Sequence, residues 1–225
     1  MLLNLVGLMK CKEFKRYLDG ILACFVCICF SFNAYAQSCS YNTWRWNVHV
    51  NQSVQQERVV HSYDSLMPEE RDHNSGCTVC EEDQVGIEVA GLPIFHVCKI
   101  FAPRIKQSLE EILRRGERVN SVIAYRVGRS RGKIDKEGNR TEFSNHSFGV
   151  ALDINMEHNG LYKRCAVFGP QCQLSRGGAW KPATDPYSLT SNGLIVRTLK
   201  ANGLRWGGEI SGLQKDFMHF SPTGY

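Results

Sequence analysis

The sequence has no internal repeats and no low-complexity tract, which excludes a solenoid, a propeller or a tethered disordered arm as its organising principle. It lacks the concentrated basic stripe of a nucleic-acid-binding protein. Its apolar run from Ile21 to Phe32 is shorter than the about 20 residues that a membrane-spanning helix needs. There is also no second CxxC to accompany Cys77-x-x-Cys80, so neither a four-thiolate zinc site nor a cytosolic redox pair is the first reading of that motif. What is present is an ordinary globular balance, 43% hydrophobic and 22% charged over 225 residues, for which one domain is the default.

Ten cysteines do not fit that ordinary balance. Four of them, Cys11, Cys24, Cys27 and Cys29, lie in the first 36 residues, where Lys10, Lys12, Lys15 and Arg16 precede the apolar run and Ala34-Tyr35-Ala36 follows it. A basic region, a short apolar stretch and a small-x-small ending predict a secretory signal peptide, residues 1–36, cleaved after Ala36, with an uncleaved N-terminal anchor as the alternative. Its removal leaves 189 residues with 23 Lys and Arg against 20 Asp and Glu, a formal charge of +3. That charge suits solubility near an anionic wall and predicts neither a nucleic-acid partner nor a stable membrane partner. In an exported chain, periplasmic or secreted, the remaining six cysteines read as disulfides. Cys165 and Cys172 bracket a short loop and are expected to pair; Cys39, Cys77, Cys80 and Cys98 allow three connectivities that sequence does not separate.

Residues 37–96 read as an N-terminal extension of irregular pattern, ending in a hairpin made of Val85–Val89 and Ile94–Val97, and residues 97–225 as the core domain. Pro103 and the spacing of Ile105, Leu109, Ile112 and Leu113 predict a helix from Ala102 to about Arg115, stopped by Gly116. Ser121–Val127 reads as a strand, 128–142 as a polar loop, Gly149–Ile154 as a second strand, Leu194–Leu199 as a short helix and Phe217–Phe220 as a last strand. Helices and strands that mix without regular βαβ alternation predict an α+β fold, with a mostly antiparallel sheet and helices packed on one side.

Chemistry concentrates in two places. Ser144-Asn145-His146-Ser147-Phe148-Gly149-Val150-Ala151-Leu152-Asp153 combines a His and a carboxylate with small residues that let the strand pass close beneath them. Near the other end, Trp206-Gly207-Gly208 precedes Asp216-Phe217-Met218-His219. A catalytic zinc commonly takes three protein ligands and keeps a fourth position for water, so His146, Asp153 and His219 are the candidate ligands of one Zn2+ per chain. Asp216 is the candidate proton acceptor. His158 is read as an ordinary loop residue, and His49, His61, His73 and His96 have no partner at ligand spacing.

These segments closely resemble the zinc peptidase family of D-alanyl-D-alanine carboxypeptidases, D,D-dipeptidases and L-alanyl-D-glutamate endopeptidases. The family motif Ser-x-His-x-x-Gly-x-Ala-x-Asp is matched at Ser144, His146, Gly149, Ala151 and Asp153, and its second motif at Asp216 and His219, over a resemblance running from about Val97 to Ser221. It implies a hedgehog/D-Ala-D-Ala-peptidase-like fold with the zinc in a cleft on the sheet, His146, Asp153 and His219 as zinc ligands, and Asp216 as general base. It also implies an upstream arginine that holds a substrate carboxylate or the developing oxyanion, best matched by Arg126, with Arg129 and Arg131 in reserve. Ser144 and Trp206 join Arg126 as candidate substrate-binding residues, although a buried Trp mainly contributes packing area to a cleft floor. The implied substrate is a peptidoglycan stem peptide, cut by an exported metallopeptidase. A catalytically inactive, zinc-containing wall-binding protein is the alternative. Asp216, where some members carry Glu, leans toward the endopeptidase branch.

Overall fold

The computed structural model describes residues 37–225, so the predicted signal segment lies outside the described residues. In chain order the elements are β1 (Ser38–Asn47), β2 (Gln52–Ser62), β3 (Gln84–Ile87), β4 (Phe95–Cys98), α1 (Ala102–Arg114), β5 (Val122–Ile123), β6 (Arg129–Ile134), β7 (Arg140–Phe143), β8 (Leu152–Ile154), β9 (Leu161–Lys163), β10 (Gln173–Arg176), α2 (Leu194–Ala201), β11 (Arg205–Trp206), β12 (Gln214–Asp216) and β13 (His219–Ser221). The fold is α+β, with two α-helices among the described residues and strand pairing that is antiparallel except between β1 and β6.

Helix α1 forms where its periodicity predicts and buries Ile105, Leu109 and Ile112. Past its end Gly116 adopts φ +80°, a left-handed conformation that glycine takes without steric cost, and the amide of Glu117 donates to the Ile112 carbonyl at 3.3 Å. Helix α2 turns Ile195, Val196 and Leu199 inward and packs against α1. On the sheet β11-β13-β8-β5, Leu152, Ile154 and Phe220 alternate with Asp153 and His219 and belong to the hydrophobic core, each at most 1% exposed. Full burial of side chains of this size is worth about 1.5–3 kcal/mol apiece. The sheet that carries Asp153 and His219 is therefore set on a dry core.

Several expected boundaries move. The stretch 38–62 forms the long hairpin β1–β2 rather than an irregular segment, and the expected loop 128–142 is the hairpin β6–β7. Both join one sheet of order β2-β1-β6-β7. The expected strand 121–127 pairs only at Val122 and Ile123, because the next backbone groups find other partners: the Ala124 carbonyl lies 2.7 Å from His146 Nδ1, and the Arg126 amide donates to the His146 carbonyl at 3.2 Å. Gly149, at φ +64°, closes a tight turn over Asn145–Phe148, so β8 begins only at Leu152. The expected last strand, Phe217–Phe220, begins only at His219 in β13, and Asp216 belongs to a different sheet. The hairpin β3–β4 and the short α2 form where expected.

Among the described residues three disulfides are present. Cys165 pairs with Cys172, and of the three open connectivities the structure has Cys39–Cys80 with Cys77–Cys98. Cys39–Cys80 and Cys77–Cys98 tie β1 and β4 to the turn at Cys77–Cys80. Among the described residues no helix is long and apolar enough to cross a membrane.

Candidate metal centre

Antiparallel pairing of β13 with β8 sets His219 directly opposite Asp153. Directly opposed residues on adjacent strands project to the same face, so the two side chains meet. The turn at Asn145–Phe148 brings His146 over the same point. His146 Nε2 lies 3.1 Å from Asp153 Oδ1 and 3.2 Å from His219 Nδ1, and His219 Nδ1 lies 3.0 Å from Asp153 Oδ1. All three residues are at most 5% exposed.

The tautomer of His146 follows from its other nitrogen. Nδ1 is 2.7 Å from the carbonyl of Ala124, which only accepts, so Nδ1 carries the proton and Nε2 presents a lone pair to the cluster. Burial, the largest influence, pushes the His146 pKa down, with Asp153 opposing in part. For His219 burial also works downward, but the hydrogen bond and charge of Asp153 override it and hold its pKa up. Burial alone would raise the carboxyl of Asp153, yet the neighbouring His146 and His219 pull it well below the ordinary range. Two imidazoles and a carboxylate, with three acceptor-capable atoms converging at about hydrogen-bond distance, are the donor set of a His2Asp metal site. The group fits a divalent cation, and His146, Asp153 and His219 could hold one.

Arg126 stands behind the triad. Its Nη2 donates to Asp153 Oδ2 at 2.9 Å, while Oδ1 faces the two histidines. The guanidinium thus fixes which carboxylate oxygen points into the cluster. Asp216 is half-buried as a residue, but its Oδ1 is covered and has no hydrogen-bond partner among the described residues. Desolvation, with Asp153 adding to it against the opposing pull of His219, pushes the Asp216 pKa up to about 7. A Cβ on Gly207 would come within 2.3 Å of the Asp216 carbonyl oxygen, so this position must be glycine for the turn to pack there.

These groups line one pocket of about 400 Å³. His146, Asp153, His219, Asp216, Arg126 and Ser144 all reach it. Arg131 also lines it, whereas Arg129 donates to the Thr141 carbonyl and covers the Phe143 ring at 4.0 Å. Trp206 does not reach the pocket: it is 3% exposed, with Nε1 donating to the Phe217 carbonyl at 2.7 Å, so it packs and positions the Asp216–His219 segment instead of touching a substrate. The sequence reading missed Trp44, Trp46 and Arg176, which also line the pocket. Trp44-x-Trp46 has the two-residue spacing that puts both rings on one face of a strand, and this was the available signal.

Residues 137–222 match the family model described as D-alanyl-D-alanine carboxypeptidase. That stretch contains the triad and Asp216 but not Arg126 or the β1–β2 hairpin. The match supports a peptidase of the D-alanyl-D-alanine carboxypeptidase type. No curated protein and no solved structure matches the chain.

Proposed function

We propose that the protein is an exported zinc metallopeptidase that hydrolyses an amide bond in peptidoglycan stem peptides. The observation that carries this reading is the convergence of His146 Nε2, Asp153 Oδ1 and His219 Nδ1 beside a carboxylate, Asp216, whose pKa is raised to about 7. The family match over the same residues supports the peptidase class, and three disulfides support an oxidising compartment.

His146, Asp153 and His219 would hold the zinc. When bound, zinc supplies Lewis acidity toward a carbonyl oxygen and toward water. Asp216 takes the proton of the attacking water on its carboxylate and later delivers it to the departing amine nitrogen, a double duty suited to a carboxyl whose proton affinity burial raises. Arg126 orients Asp153 through Oδ2, and its remaining N–H groups serve a substrate carboxylate or the developing oxyanion. Ser144, on the pocket wall, has its hydroxyl 3.5 Å from that of Ser147 and serves the substrate backbone.

The test is reconstitution. Protein stripped with a chelator releases no fragment from purified muropeptides, and one equivalent of Zn2+ per chain restores release. Release by the stripped protein, or none after reloading at full metal content, overturns the proposal.

A further inference from the structure

The pocket holds far more positive charge than the proposed hydrolysis requires. Five cationic side chains line it, Arg126, Arg131, Arg140, Lys163 and Arg176, against the carboxylates of Asp153 and Asp216. Arg126 is committed to Asp153. Arg176 is exposed, with neither a carboxylate within 4.0 Å nor a hydrogen-bond acceptor for its guanidinium among the described residues. Its guanidinium lies over the ring of Trp46, 4.0 Å from the centroid, and Trp46 comes from β1, on the other side of the sequence. A guanidinium set over an indole face uses none of its N–H groups there, which leaves them available to bind a carboxylate.

Trp46 is itself held in place. At the end of β1, Asn47 Nδ2 donates to Asn139 Oδ1 and to the Glu137 carbonyl, both at 2.8 Å, which ties the strand to the β6–β7 turn. Two residues earlier, the Trp44 ring covers Gly128 so closely that a Cβ there would stand 2.3 Å from it. The hairpin therefore presents its indoles to the pocket as a fixed wall.

Register gives the position of Arg176 relative to the chemistry. Across the sheet β10-β9-β12, Arg176 pairs with Leu161 and Leu161 with Asp216, and all three line the pocket. Two strand spacings separate Arg176 from Asp216, about 10 Å, which is the length of roughly three extended residues. Partial burial and then the neighbouring Arg126 work against the Arg176 cation, Asp153 and Asp216 favour it, and an incoming anion offsets the Arg126 repulsion.

We propose that Arg176, set over the Trp46 ring, is a specificity-determining residue that binds a second carboxylate of an acidic peptide, a few residues from the bond being cut. The N-terminal hairpin thereby forms part of the substrate site. This inference rests on the peptidase reading for what is cleaved, but not for what is bound.

The test uses two probes: an acylated alanyl-glutamyl-lysyl-alanyl-alanine pentapeptide with its free glutamate side carboxylate, and the same peptide with that group as a carboxamide. Binding is measured by calorimetry in zinc-loaded Asp216→Ala protein, so that turnover does not interfere, and hydrolysis is measured separately with wild type. The carboxylate peptide binds about tenfold more tightly than the carboxamide, the scale of one charge-assisted contact. Adding Arg176→Gln abolishes the preference, Trp46→Ala weakens it and Trp46→Phe keeps it, while thermal unfolding reports that each variant is folded. A preference that survives Arg176→Gln, or a variant that weakens both peptides equally, overturns the proposal. A preference present in binding with neither peptide cleaved by wild type sustains this inference and counts against the peptidase reading.

Discussion

His219 and Asp153 face one another across β13 and β8, with His219 Nδ1 3.0 Å from Asp153 Oδ1. The opposite oxygen of the same carboxylate belongs to Arg126, whose Nη2 is 2.9 Å from Oδ2. One aspartate is thus shared between a ligand cluster and a cation that steers it.

That sharing makes Arg126 testable in a way that separates its two roles. Arg126→Ala is expected to lower zinc affinity by about 10–100-fold, as loss of a group that orients a metal ligand generally does. Competition with a chelating dye measures it. An unchanged affinity with impaired turnover would leave Arg126 as a substrate contact alone. Asp153→Asn and His219→Ala, by contrast, remove ligands and are expected to reduce bound zinc from one per chain to none, read by elemental analysis.

Asp216 should be separable from metal binding. Asp216→Ala is expected to retain zinc and lose about 10²–10⁴-fold in turnover, the usual weight of general acid–base catalysis. The pH profile gives a second reading. A carboxyl raised to about 7 is deprotonated above that value, so kcat/KM rises with pH through an acid limb. Zinc in the triad attracts the anionic form and moves the limb to or below about 7. A profile flat from pH 4 to 8 in wild type contradicts the assignment of Asp216 as base.

Gly207→Ala tests position without changing any reacting group. The added methyl meets the Asp216 backbone oxygen at 2.3 Å and must displace it. Misplacement of a catalytic group by about 1 Å costs roughly 100-fold. The expected result is that loss in kcat with unchanged zinc content and little change in unfolding temperature.

Acid stability reports on the N-terminal half. Burial by itself would raise the carboxyl of Asp83, but hydrogen bonds from Lys99, Thr78 and Tyr63 hold it below the ordinary range. A depressed folded-state pKa contributes stability that is present above the unfolded value, near ~4, and lost as pH falls through the lower folded value. Unfolding temperature should therefore drop as pH is lowered below about 4. Asp83→Asn should be less stable at pH 7 by about 1–3 kcal/mol and show a shallower acid decline.

Opening Cys39–Cys80 with paired Cys→Ser changes frees a loop of 41 residues and is expected to cost about 2–5 kcal/mol. Urea unfolding followed by tryptophan fluorescence measures it.

What could be read from the chain alone was local. Helix α1 announces itself through Ile105, Leu109 and Ile112 at helical spacing, and the candidate ligands through a His and Asp on one short segment. The hairpin β1–β2 was illegible because β2 is exposed along most of its length, which leaves no two-residue hydrophobic alternation to find. The β6–β7 hairpin hides for a similar reason: Arg129, Arg131 and Lys133 carry no apolar face. The Trp46–Arg176 contact and the pairings of Cys39 with Cys80 and Cys77 with Cys98 join distant residues, and only the folded register brings them together. Arg126 was legible as a site residue, but its hold on Asp153 was not.

The central claim is hydrolysis of a stem-peptide amide at this site, and mass spectrometry of muropeptides incubated with zinc-loaded wild type tests it most directly. The account predicts two fragments whose masses sum to the substrate plus one water, with the new termini identifying the bond, and no fragments from Asp216→Ala. Intact muropeptides bound to fully zinc-loaded wild type, or the same fragments from Asp216→Ala, would contradict it.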